Sequence, residues 1–345
     1  MAKPTTSGEL ALIERIRQHA GTRRGAVSLG IGDDCAILRV PRGHEVVVTT
    51  DFSLEGRHFR RDLHSPRSIG HRTLARGLSD LAAMGARPLA AFLSLALPKS
   101  VARDKRWLDA FLDGLLTLAR LSKVPLAGGD TSESPADFVL ADIVLLGAVP
   151  AGRALRRDGA HPGDLLYVTN ALGGAAAELS QLLATPLQPK AKPALRHNPP
   201  AVQSSRSPHF FPQPRLRLGR ELLRHRLATA AIDLSDGLST DLAHLCTASG
   251  VAAELDAAAI PIHDSARTLL PDGPARLNAA LHGGEDYELL FAARPGATIP
   301  RSLAGVRLTR IGRLIPRRAR QPQLTLIDSA GRRHPLPPQG WQHLA

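Results

Sequence analysis

The chain has 345 residues, 43% of them hydrophobic and 22% charged, which allows two ordinary domains with buried cores and excludes global disorder. Its net charge is +13, but nine Lys or Arg against one acid lie in Lys190–Arg226 and seven Arg in Arg301–Arg320, and with aromatics at 3% there is no interleaved surface for stacking bases, so no nucleic-acid partner is expected. No run of about 18 apolar residues occurs and Met1–Gly8 has no apolar signal core, so the reading is a cytoplasmic protein without a membrane span, with Cys35 and Cys246 as free buried thiols.

In chain order, Glu9 to Ala20 is amphipathic and reads as a helix stopped by Gly21. Glu45–Thr50 is a short β-branched strand. Ser65-Pro66 opens a long helix through Met84, with Gly85 as its stop. Leu89–Leu97 is a strand, Val101–Leu121 a helix, Val124–Ala127 a short strand leading into Gly128-Gly129-Asp130, and Phe138–Val149 an apolar strand. Near Pro150 the pattern restarts, which sets domains at 1–150 and 151–345. Leu165–Thr169 is a strand, Gly173-Gly174 leads into a helix through Leu183, Thr229–Ile232 is a strand, and Leu238–Ser249 a helix ended by Gly250. Tyr287–Ala292 is a strand, and Ile311-Gly312 a strand edge. Thr185–Pro208 is rich in Pro, Ser, Lys and Arg without apolar periodicity, and reads as a mobile surface insertion. Mixed strands and helices in both halves give an α/β or α+β fold.

Six segments set a carboxylate where an apolar run ends: Asp33-Asp34, Asp51 after Thr49-Thr50, Asp80 in Leu78-Ser79-Asp80, Asp130 after Gly128-Gly129, Asp233-Leu234-Ser235-Asp236, and Glu285-Asp286 after Gly283-Gly284. Each alone has an ordinary reading as a turn, cap or exposed helix position. Together they indicate carboxylates converging where cations separate them. Oxygen-only ligands suit Mg²⁺, which also binds phosphates. Ser235 precedes a helix whose N-terminus favours an anion. No Walker A or kinase catalytic-loop pattern occurs, so the phosphate site belongs to another fold.

Gly30-Ile31-Gly32-Asp33-Asp34-Cys35-Ala36, Thr50-Asp51, Leu78-Ser79-Asp80-Leu81-Ala82-Ala83-Met84-Gly85-Ala86, Gly128-Gly129-Asp130-Thr131, Ile232-Asp233-Leu234-Ser235-Asp236-Gly237-Leu238 and Gly283-Gly284-Glu285-Asp286-Tyr287-Glu288-Leu289 occur in this order. Together they resemble the thiamine-monophosphate kinases, from about Gly8 to Trp341. The resemblance implies phosphorylation of thiamine monophosphate by ATP, the last step of thiamine diphosphate synthesis. It implies the two-domain fold shared with aminoimidazole ribonucleotide synthetase, whose N-terminal ATP- and Mg²⁺-binding domain pairs its sheet across a homodimer. It assigns Asp34, Thr49, Thr50, Asp51, Asp80, Asp130, Asp233 and Asp236 to several Mg²⁺ ions. Gly129, Asp130, Arg157 and Ser235 match nucleotide positions; His58, Glu285 and Trp341 match the thiamine-phosphate side. Asp80, Asp130 and Arg157 are the expected catalytic residues. The related selenophosphate synthetases usually carry a reactive cysteine or selenocysteine near the N-terminus, and residues 1–34 contain no cysteine here.

Overall fold

The apolar stretches pair into two main sheets, one in each unit, and β-strands near the N-terminus form a small two-stranded third. The computed structural model describes residues 9–21, 25–184 and 206–341. The first unit runs to Leu81 and resumes over Arg87–Ala151; the second comprises Ala82–Ala86, the described part of Gly152–Pro186, and Ser207 onward.

The first unit contains α1 (Glu9–Ala20), β1 (Val27–Leu29), β2 (Ile37–Leu38), β3 (His44–Leu54), most of α2 (Pro66–Ala83), β4 (Arg87–Leu97), α3 (Lys99–Ala102), α4 (Lys105–Ser122), β5 (Leu126–Glu133) and β6 (Leu140–Pro150). Its main sheet has the order β3-β6-β4-β5, with only β4 and β5 parallel. Alternation along β6 buries Ala141, Ile143 and Leu145 completely. Helix α4 forms because Asp104 accepts hydrogen bonds from the amides of Arg106 and Trp107, and its apolar stripe then buries Phe111 and Leu115. On the other face of β3, Val46, Val48 and Phe52 are 42%, 62% and 55% exposed.

The second unit contains β7 (Leu165–Thr169), α5 (Gly174–Ala184), α6 (Leu216–Arg224), β8 (Ala230–Asp233), α7 (Leu238–Ser249), β9 (Val251–Asp256), α8 (Asp264–Leu269), α9 (Gly273–His282), β10 (Leu289–Ala293), β11 (Ser302–Leu303), β12 (Val306–Pro316), β13 (Leu324–Ile327) and β14 (Arg333–Pro335). The sheet order is β14-β13-β9-β12-β7-β10-β8, with β11 beside β12. Leu166, Val168, Ile232, Leu242, Leu255, Leu290 and Ile311 belong to its core.

Several elements differ from the sequence expectation. β3 continues to Leu54, so Asp51 lies within a strand rather than at its end. β5 carries Gly128-Gly129-Asp130 inside an extended strand, because pairing with β4 holds the segment straight. Ile311-Gly312 belongs to a long strand paired on both sides, by β7 and β9. The basic run before Arg226 includes α6, which buries Leu218, Leu222 and Leu223 and exposes Arg217, Arg220 and Arg224. Cys246 is buried as expected, but Cys35 is exposed. Most of the expected mobile insertion lies outside the described residues; Ser207, near its end, is buried and donates to Glu178. Among the described residues no helix is long and apolar enough to cross a membrane.

Candidate active site

In the first unit, β3 alternation turns Thr49 and Asp51 inward and Thr50 outward. Arg76 and Asp80 stand one turn apart on α2. The Thr49 hydroxyl donates to Asp80, and Arg76 is 3.7 Å from Asp51. The second oxygen of Asp51, Oδ2, is buried without a hydrogen-bond partner. Burial, then the charge of Asp80, push the Asp51 carboxyl up to about 7, with Asp142 adding to the rise and Arg76 opposing it. Thr50 donates to Asp142 at 3.1 Å on the opposite face.

The other first-unit candidates are spread out. Asp130 is exposed on β5, opposite Ser94 of β4. Gly129 before it has φ +148°, and its backbone lies so close to the Leu93 carbonyl that a Cβ has no room. Asp34 is exposed, and its amide donates to Asp33 at 2.9 Å. His58 closes the turn after β3: its Nδ1 accepts the Leu54 amide at 2.9 Å, and its carbonyl accepts from Arg72.

In the second unit the segments converge more tightly. Strand β8 delivers Asp233 as a buried residue at its end, and Leu234–Gly237 lead into α7. Asp241, in the first turn of α7, accepts the amides of Asp236 and Gly237 at 3.1 Å each. Burial, with Asp233 and Asp236 nearby, pushes its carboxyl up to about 8. The Ser235 carbonyl accepts the Glu285 amide at 2.8 Å, and the Asp236 carbonyl accepts the Trp341 amide at 3.0 Å. The tail is held further by Gly340, whose amide donates to Thr240 and whose Cα leaves no space for a side chain against Asp236. Ser235, Asp236, Glu285 and Trp341 are thereby brought together. Asp286 instead accepts the amides of Gly173 and Ala175 at the start of α5. Arg157 is not part of this convergence: its carbonyl accepts the Ser249 hydroxyl at the far end of α7, and its side chain is exposed. Twelve helical residues separate those two ends by about 18 Å.

Among the described residues no three His, Cys, Asp or Glu side chains form a group able to hold a metal ion. Two features nevertheless fit Mg²⁺. The donors are all oxygens, and Asp51 has a buried oxygen lacking a partner beside a second carboxylate. A cation between Asp51 and Asp80 would offset the repulsion of their charges. The sequence reading missed Arg76, Asp142 and Asp241. Asp142 was visible as the one charge in an apolar strand; Asp241 reads as an ordinary first-turn acid.

Residues 32–149 match the AIR synthase related protein N-terminal domain, and residues 161–318 its C-terminal domain. The chain is 41% identical over 307 residues to the thiamine-monophosphate kinase of Salmonella typhimurium (strain LT2), covering 89% of this chain and 87% of that protein. The crystal structure of thiamine-monophosphate kinase from Stenotrophomonas maltophilia K279a superposes with a TM-score of 0.75 at 37% identity, covering 91% of this chain and 95% of that one. AaThiL complexed with AMPPCP and TMP superposes with a TM-score of 0.70 at 27% identity, covering 98% and 97%.

Proposed function

The chain belongs to the AIR synthase related family and, within it, to the thiamine-monophosphate kinases, and on that premise we propose that it transfers the γ-phosphate of ATP to thiamine monophosphate, giving thiamine diphosphate and ADP. The observation that carries this reading is the meeting of three separate segments of the second unit, where the backbone of Glu285 bonds to Ser235 and that of Trp341 to Asp236. It supports an anion-facing helix start beside a carboxylate and an indole, a combination suited to a phosphorylated organic cation.

In the first unit Asp34, Thr49, Asp51, Asp80 and Asp130 would hold Mg²⁺, and in the second Asp233 and Asp236 would; Thr50 is turned to the opposite face of β3. Bound Mg²⁺ supplies the charge neutralisation that lets two polyanions approach each other. Of the expected nucleotide residues, Gly129 and Asp130 on β5 and Ser235 before α7 keep that role, while Arg157 lies at the far end of α7 from Ser235. His58, Glu285 and Trp341 take the acceptor side. The acceptor needs no general base, since a phosphate monoester has its second pKa at about 6 and is already anionic. The motifs offer no positioned nucleophile to carry the phosphoryl group, so transfer is read as direct and in line. Incubation with γ-labelled ATP tests this: label passes to thiamine diphosphate when the monophosphate is present, and none stays on the protein without it. A labelled phosphoenzyme contradicts direct transfer.

The first domain, 1–150, serves ATP and Mg²⁺ binding and dimerisation; the second, 151–345, completes the enzyme in the cytoplasm. The exposed Val46, Val48 and Phe52 on the outer face of β3, interrupted by Thr50, support a homodimer, because large apolar side chains grouped on a sheet face are costly in water. Val48→Asp is expected to shift the protein from dimer to monomer in sedimentation, and an unchanged mass contradicts this interface. Trp341 is 48% exposed with its amide fixed on Asp236. Trp341→Ala is expected to raise KM for thiamine monophosphate more than KM for ATP; equal effects indicate a structural role.

A further inference from the structure

The turn that carries Glu285 is held in a costly shape. Glu285 and Tyr287 both have left-handed backbone, with φ of +68° and +50°, although neither is glycine. Such strain persists only where the surroundings determine it. Here the amides of Glu285 and Tyr287 donate to the carbonyls of Ser235 and Leu234 at 2.8 and 2.9 Å. Asp286 is tied to the start of α5, and Glu288 accepts from Arg215, Thr169 and Asn170. Asp286 and Glu288 therefore serve the interior, while Glu285 keeps 22% of its side chain exposed.

The segment after Arg206 returns to this turn. The Ser207 hydroxyl and the His209 amide donate to Glu178, which fixes the backbone there. The His209 ring packs edge-on against Phe210, with centroids 5.1 Å apart. Its Nδ1 lies 3.5 Å from Oε2 of Glu285, and the residue is 1% exposed. At that burial the imidazole does not meet a substrate itself; it meets the carboxylate that can.

We propose that His209 is a positioning residue that holds the Glu285 carboxylate in the orientation needed to receive the cationic heterocyclic part of the acceptor. The proposal rests on the reading above that Glu285 faces the thiamine moiety. A carboxylate on a half-exposed turn otherwise samples several rotamers, and ordering it on binding weakens affinity. An imidazole already buried against one oxygen removes part of that ordering in advance. The effect falls on acceptor binding, because the contact is made equally in the ground state and the transition state.

Steady-state kinetics on the full chain test this with His209→Leu, His209→Asn, Glu285→Gln and the double variant His209→Leu/Glu285→Gln. His209→Leu is expected to raise KM for thiamine monophosphate about tenfold while leaving kcat and KM for ATP within about twofold. Glu285→Gln is expected to raise the same KM, and the double variant to be no worse than the poorer single variant, since the two side chains act as one unit. His209→Asn, whose amide nitrogen sits where Nδ1 does, recovers most of the loss. Where His209→Leu does not fold, His209→Gln keeps a polar side chain but moves the amide one bond outward, and is expected to give the same split. If Glu285→Gln raises KM and neither His209→Leu nor His209→Gln does, His209 does not position it, and the assignment of Glu285 stands. If Glu285→Gln leaves KM unchanged, Glu285 is not on the acceptor side, and the role of His209 falls with it. Additive losses, or equal losses for the acceptor and ATP, reduce His209 to a packing residue and overturn the proposal.

Discussion

Asp80→Asn lowers kcat at least about 100-fold, as loss of a metal-holding carboxylate commonly does. Asp80 takes the Thr49 hydroxyl and stands beside Asp51, whose partnerless buried oxygen faces the same charge. Replacing the carboxylate with an amide keeps the shape and removes one negative charge. A second consequence separates this from structural damage. Burial and Asp80 raise the Asp51 pKa from 3.8 to about 7, so the folded state binds that proton more tightly than the unfolded state. Without metal, stability therefore falls as pH rises from about 4 to about 7, and stays lower above that. Removing Asp80 narrows the gap between folded and unfolded pKa. Asp80→Asn in chelator at pH 8 should then be at least as stable as the parent while its turnover collapses. Chemical denaturation beside the kinetics checks both. Near-normal turnover with full Mg²⁺ affinity removes Asp80 from the cluster, and loss of stability together with activity points to a packing role.

Arg215→Ala has the largest expected effect on stability, a loss of about 3–5 kcal/mol in the second unit. Arg215 donates through two nitrogens to Glu288, with Nε 2.7 Å from Oε2. Glu288 is 3% exposed, and what then remains to it is Thr169 and Asn170. A buried carboxylate left without its cation retains its desolvation cost and loses its compensation. Adding Glu288→Gln to Arg215→Ala should recover part of the loss, because the stranded charge is gone. A loss below about 1 kcal/mol by urea denaturation contradicts this, and places the pair among surface bridges of small effect.

Long apolar runs and helix punctuation made much of the fold legible. Leu89–Leu97 and Phe138–Val149 read as strands because they are apolar and β-rich, and they pair as the two central strands of the first sheet. The helix through Ala83 was readable from Ser65-Pro66 at its start. Other segments were hidden for local reasons. Gly128-Gly129-Asp130 has turn composition, yet parallel pairing with β4 stretches it, and glycine is what allows the close approach to Leu93. Helix α6 was masked by Arg217, Arg220 and Arg224, which are its solvent face. Val251–Asp256, beyond the Gly250 stop, was given no element in the sequence reading, and is a strand through its pairing with β12 and β13.

The candidate site was legible as chemistry and less so as geometry. Asp51 and Asp80 meet because strand alternation and helix position both aim them inward, and each was marked in sequence. Ser235, Glu285 and Trp341 meet through backbone hydrogen bonds, which carry no side-chain signature. His209 falls in the same class: nothing near it in sequence signals Glu285 as its neighbour.

The most direct test is turnover with ATP and Mg²⁺ against thiamine monophosphate, free thiamine and the aminoimidazole-pathway substrate in parallel. The account predicts thiamine diphosphate from the monophosphate and no product from the other two. ATP consumption with another acceptor, or none with the monophosphate, contradicts it.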